Sequence, residues 1–227
     1  MINGISSTDI QPAPIVVFQA GSQPTGGDLI CRLLALVICL SACAGIGLEL
    51  STLMKGGASM LGSLWVLMGY FTILSNGLIA VVFGAVALLG GRFDHPRLVA
   101  AVAAVMALVG VIFALLLQGL RTLAGATAEA NFLLHQLNPV LVVLFWLLFT
   151  RKGALSWRDP LLWALYPLVY LAYALARGVA EGKYAYPFID VSANGWVGVM
   201  SNVVVIALGF IAAAEVLVLI DRMLARR

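Results

Sequence analysis

The sequence predicts an all-α fold: a polytopic membrane protein made of a bundle of six transmembrane helices. Three observations lead there. Hydrophobic residues make up 63% of the 227-residue chain and charged residues only 10%. Soluble domains carry about 25% charge, which their surfaces need. The mean hydropathy is +1.07. The apolar residues also fall into long runs, and about 20 of them, rising about 1.5 Å each, cross a bilayer core as a helix.

The elements follow in order. Residues 1–29 hold Gly, Ser, Pro, Thr and Gln with no Lys or Arg. A secretory signal starts with basic residues, so a flexible tail is expected, with the first membrane helix serving as the insertion signal. Six apolar segments follow at about 30–53, 62–90, 97–121, 130–150, 160–178 and 196–220. Turn residues and charge separate them: KGGAS at 55–59, GGRFDHPR at 90–97, RTLAGATAE at 121–129 and RKGALSWRDP at 151–160. The longest break, 177–195, is rich in aromatics. The transmembrane domain thus covers 30–222 and leaves a short basic end at 223–227. This length has no room for a large extramembrane domain.

The basic residues set the expected orientation. One side collects Arg32, Arg92, Arg97, Arg151, Lys152, Arg158, Arg222, Arg226 and Arg227, nine in all. The other collects Lys55, Arg121, Arg177 and Lys183, four in all. The richer side is expected in the cytoplasm, with both termini. These residues mark helix ends and form no basic patch, so nucleic acid is not an expected partner. Cys31, Cys39 and Cys43 lie in or beside the first segment. Cys39 and Cys43 share a helix face, where a disulfide fits poorly, and small apolar side chains are the expected role. No His or acid stands near them at ligand spacing, so no metal site is expected. Nothing demands a cofactor.

Polar residues at membrane depth are the informative ones. In the second segment Thr72, Ser75 and Asn76 stand at i, i+3 and i+4 and share a face. In the fourth, Asn131, His135 and Asn138 stack likewise, and Pro139 denies the His135 carbonyl its donor. A helix distorted at the histidine is expected. One reading of both stripes is hydrogen-bonded glue between helices. The other is chemical. Both stripes fall in the same half of the bilayer, and a hydroxyl meeting an imidazole is the minimal nucleophile and base. Asn76, Ser75 and Asn138 are then the candidate oxyanion donors or pocket residues, Asn76 first. Arg177, Asp190 and Tyr186 near the last loop are weaker candidates, either for holding a carboxylate head group or for orienting His135. A solvated loop is the alternative for them. Glu215 and Glu49 lie near helix ends, within reach of the interface.

The six-helix plan, YFTILSN at 70–76, HQLNP at 135–139 and YAYPFIDVSANG at 184–195 resemble the androgen-induced and androgen-dependent (ADTRP-like) membrane proteins and their bacterial relatives. The resemblance spans about residues 30–222. It implies an intramembrane threonine hydrolase that cleaves fatty acid esters of hydroxy fatty acids or similar lipid esters. It also implies Thr72 as nucleophile, His135 as base, a membrane lipid as partner and a bacterial inner-membrane location. The competing expectation is a non-enzymatic bundle acting as a small transporter, channel or lipid-binding protein, with the same residues lining a polar pocket.

Overall fold

The computed structural model describes residues 26–90, 93, 95–120 and 122–225. The tail expected at 1–29 therefore falls almost wholly outside the described residues, as do Arg92, Arg121, Arg226 and Arg227. The described residues are mostly helical, with no strand among them. Six helices are long and apolar enough to cross a membrane: Asp28–Lys55, Phe71–Leu89, Pro96–Leu117, Ala126–Phe149, Asp159–Glu181 and Val191–Ala225.

The elements are α1 (Gly26–Lys55), α2 (Met60–Leu67), α3 (Phe71–Leu89), α4 (Pro96–Ile112), α5 (Ala126–Phe132), α6 (Asn138–Phe149), α7 (Asp159–Trp163), α8 (Leu165–Glu181) and α9 (Val191–Ala225). π-helical turns at Phe113–Leu117 and Leu133–Leu137 extend α4 and join α5 to α6. Six successive spans bring Asp28, where the first starts, and Ala225, where the last stops, to one end of the bundle. The connections Gly56–Ser59 and Gly182–Asp190 lie at the other, as do Gln118–Leu120.

The second apolar segment is not one helix. It breaks at Met68–Gly69–Tyr70, where Tyr70 is extended (φ −102°, ψ 128°). Partners distant in sequence hold the break. The Tyr170 hydroxyl donates to the Gly69 carbonyl at 2.8 Å, and the Phe71 ring packs on Tyr166 and Tyr170 at 5.4 and 5.0 Å. Before the break, α2 is tied to α8. Trp65 Nε1 donates to Glu181 at 2.9 Å, Arg177 Nε bonds the same oxygen at 2.8 Å, and the guanidinium lies 4.3 Å from the Trp65 ring centroid.

In the fourth span, the π turn at Leu133–Leu137 contains His135 and ends just before Asn138–Pro139. Proline supplies no N–H, and the wider turn accommodates that loss. The main core gathers Ile38, Ile79, Phe83, Met106, Val142 and Trp146, all essentially buried, from four spans. Gly45 lets α1 close on this region, since a Cβ there would lie 2.6 Å from Leu134 Cδ2. Small residues at such crossings let membrane helices approach. The three cysteines are free thiols.

Charged residues close the helix ends at the terminal face. Arg32 donates to the Ala87 and Leu88 carbonyls at 2.8 and 3.2 Å, satisfying the last turn of α3. Lys152 bonds the Trp146 and Thr150 carbonyls. Burial pushes its ammonium below the ordinary lysine value, and Asp221 partly offsets this. Asp221, 1% exposed, accepts from the Gly153 and Leu155 amides at 2.9 and 3.0 Å. Asp221→Ala strands both donors, and a loss of about 1–3 kcal/mol is expected. Thermal unfolding in detergent measures it.

Candidate active site

The break in the second span places Thr72 in the first turn of α3, two residues after the extended Tyr70. The opening amides of a helix have no partner within it. Here the Thr72 N–H donates to the Tyr186 hydroxyl at 3.3 Å, and Thr72 Oγ1 lies 3.4 Å from the same oxygen. Thr72 is 6% exposed. Its side chain faces a cavity of about 130 Å³ beside α4, α8 and α9. Ile112, Leu168 and Phe210 wall that cavity, while Thr72, Tyr170 and Tyr186 supply its hydroxyl groups.

The fourth-span stripe meets the second at one amide. Asn76 Nδ2 donates to the Thr72 carbonyl at 2.8 Å and to the Leu134 carbonyl at 3.2 Å. Asn138 Nδ2 donates to Asn76 Oδ1 at 2.7 Å. Both asparagines are fully buried. Asn76 is therefore saturated: both of its hydrogens and its oxygen have partners, so it serves as a clamp between helices. Ser75, also buried, lies 3.5 Å from the Tyr166 hydroxyl. Asn76→Ala strands the buried Asn138 amide and the Leu134 carbonyl. A loss of about 1–2 kcal/mol is expected, the upper range for polar contacts between membrane helices. A shifted unfolding midpoint in graded SDS tests it.

His135 adjoins this clamp without touching Thr72. Its Nδ1 lies 3.2 Å from the Asn131 carbonyl, and its ring stacks on Phe113 with centroids 4.6 Å apart. A carbonyl only accepts, so Nδ1 carries a proton, and in the neutral imidazole Nε2 keeps the lone pair. Among the described residues no hydrogen bond joins Thr72 to His135. The two flank one stretch of the third span: Ile112 faces the cavity that Thr72 lines, and the next residue, Phe113, carries the imidazole.

The loop candidates take separate places. Arg177 is engaged by Glu181 and by the Tyr173 hydroxyl at 3.1 Å, beside Trp65. Asp190 starts α9, accepting from the Ser192 amide and hydroxyl and from the Ala193 amide. The Ser192 hydroxyl bond, ahead of the amides, holds its carboxyl below the ordinary value of 3.8. A lowered carboxyl lends stability above that ordinary value and loses it as pH falls through the lowered one. The start of α9 should therefore loosen only in strong acid, visible as faster hydrogen exchange at 191–194. Tyr186 alone among the loop candidates reaches Thr72. Its ring stacks on Phe188 at 5.2 Å and meets Tyr70 edge-on at 5.9 Å. Asn202 and Asn194 hold the loop backbone at Phe188 and Pro187 by bonds of 2.9 and 2.8 Å. The aromatic density of the loop was the only sequence signal for this contact.

The fold and site define a polytopic α-helical membrane protein whose broken second span presents a threonine hydroxyl to an apolar cavity. Comparisons of the chain with models of protein families, with curated proteins and with solved structures find no match.

Proposed function

We propose that this protein hydrolyses lipid esters within the membrane, with Thr72 as nucleophile and His135 as general base. One observation carries the reading. A threonine hydroxyl sits at the opening turn of a membrane-embedded helix, on the wall of a cavity lined mostly by apolar side chains. An acyl chain fits such a wall, and its ester carbonyl then stands at the hydroxyl.

The chemistry balances with these groups. Thr72 Oγ1 attacks the carbonyl carbon while its proton passes to His135 Nε2. In the resting structure Nε2 makes no bond to Thr72, so a bridging water or a turn of the imidazole away from Asn131 closes the gap on binding. Catalytic hydrogen bonds often tighten only with substrate bound. The tetrahedral intermediate collapses with cleavage of the bond to the ester oxygen, and His135 returns the proton to the leaving alkoxide. Water, deprotonated by the same imidazole, then releases the fatty acid and restores Thr72.

The orientation supports access from the non-cytoplasmic leaflet. Among the described residues Arg32, Arg97, Arg151, Lys152, Arg158 and Arg222 lie toward the terminal end, and Lys55, Arg177 and Lys183 toward the site end. The richer end is taken as cytoplasmic, in a bacterial inner membrane. Purified protein should release 4-nitrophenol from 4-nitrophenyl octanoate in micelles. It should also react with a fluorophosphonate probe that Thr72→Ala no longer takes up. Turnover and labelling that persist in Thr72→Ala contradict the proposal.

A second reading, a lipid-binding protein without chemistry, draws on the lack of a bond between Thr72 and His135. It expects octanoate-ester binding with no nitrophenol release.

A further inference from the structure

An acyl-transfer site must hold the negative oxygen that forms when the carbonyl is attacked, and that demands hydrogen-bond donors already aimed. The asparagines nearest the pair do not supply them. Both Asn76 amide hydrogens are spent on the Thr72 and Leu134 carbonyls; Asn138 gives one of its two to Asn76 Oδ1, and among the described residues it makes no bond to Thr72. The Ser75 hydroxyl is turned to Tyr166. The Tyr170 hydroxyl gives its proton to the Gly69 carbonyl.

Two donors stand directly at the Thr72 hydroxyl. One is the backbone N–H of Thr72 itself, in the first turn of α3, where no helical acceptor exists. The other is the Tyr186 hydroxyl, which touches both that N–H and Oγ1. We propose that the Thr72 N–H and the Tyr186 O–H together form the oxyanion hole, making Tyr186 a catalytic residue. The assignment rests on the threonine-hydrolase reading of the same site.

The geometry fits the task. The Tyr186 oxygen stands 3.3 Å from Thr72 N and 3.4 Å from Oγ1, longer than the roughly 2.7–3.1 Å of a strong donor–oxyanion contact. It is held loosely. An arriving carbonyl oxygen takes over the amide and receives the phenol proton as a second bond, both from fixed groups. The phenol stays a donor across the working range, because burial pushes its ionisation above that of ordinary tyrosine. The loop that carries it is preorganised by the Phe188 stack, the Asn202 and Asn194 bonds and the buried Ile189. Gly178 provides room for this loop, since a Cβ there would lie 2.2 Å from the Tyr184 ring.

The test is Tyr186→Phe in the full chain, which keeps the ring and deletes the donor. On 4-nitrophenyl octanoate kcat should fall by about 10²–10³, with KM within about threefold. Octylboronic acid, which mimics the tetrahedral state, should lose affinity in parallel. A wild-type kcat in a folded Tyr186→Phe protein overturns the assignment. Fluorotyrosine at 186 guards against a folding artefact. It preserves packing, and kcat should track the acidity of its phenol, whereas a purely structural role leaves kcat flat and overturns the assignment. The two layers separate cleanly. Wild-type protein that never labels at Thr72 removes the hydrolase reading and this one with it, while labelling with an unchanged Tyr186→Phe rate removes only the role of Tyr186.

Discussion

Thr72→Ala should lower ester turnover by about a thousandfold or more, as loss of a covalent nucleophile does, while the protein stays folded. The second half of that expectation comes from the structure. The Thr72 carbonyl, not its side chain, accepts from Asn76, so the clamp between the second and fourth spans survives the substitution. Among the described residues the hydroxyl's hydrogen-bond partner is the Tyr186 oxygen, at 3.4 Å. Thr72→Ala should therefore melt close to wild type, and Thr72→Ser should retain activity because it keeps an attacking oxygen. A melt far below wild type would point instead to a structural hydroxyl.

His135→Ala should cost about 10²–10⁴ in kcat, the usual worth of a positioned base. The effect on folding should be modest. The ring gives up one bond to a local carbonyl and its stack on Phe113, and such a stack is worth about 0.5–1.5 kcal/mol. The readout that separates base from scaffold is the pH profile. Wild-type kcat should fall in acid as the imidazole takes a proton and loses its lone pair. His135→Ala should be flat over that range and partly rescued by added imidazole. A profile that keeps its acid limb in the variant assigns the base to another group.

Much of the architecture was legible because membrane spans announce themselves as long apolar runs, and six helices are long and apolar enough to cross a membrane, although the second run is broken. The polar stripes were legible too. Asn76 meets the fourth span at Leu134 and Asn138, as residues of a common seam would, whereas Thr72 and Ser75 turn to Tyr186 and Tyr166. The function of each amide was not legible. Asn76 led the candidate oxyanion donors, yet it closes a clamp, and that distinction depends on which carbonyls lie within 3.2 Å of it. The break before Thr72 was hidden for a related reason. A glycine within an apolar run is compatible with a continuous membrane helix. What opens the chain at Gly69 is Tyr170, 101 residues away, taking its carbonyl. Tyr186 lies 114 residues from Thr72, and no spacing rule links a loop tyrosine to a helix start. Glu181, four residues on along the helix, was a legible partner for Arg177, but nothing in the sequence near Arg177 shows that Trp65 lies against its guanidinium.

Peptide mapping of the wild-type protein after reaction with an alkyl fluorophosphonate bears most directly on the central claim. The account predicts a single phosphonyl adduct, carried by the Thr72 hydroxyl and prevented by prior incubation with octylboronic acid. An adduct on another residue, or ester turnover by a protein that carries none, contradicts it.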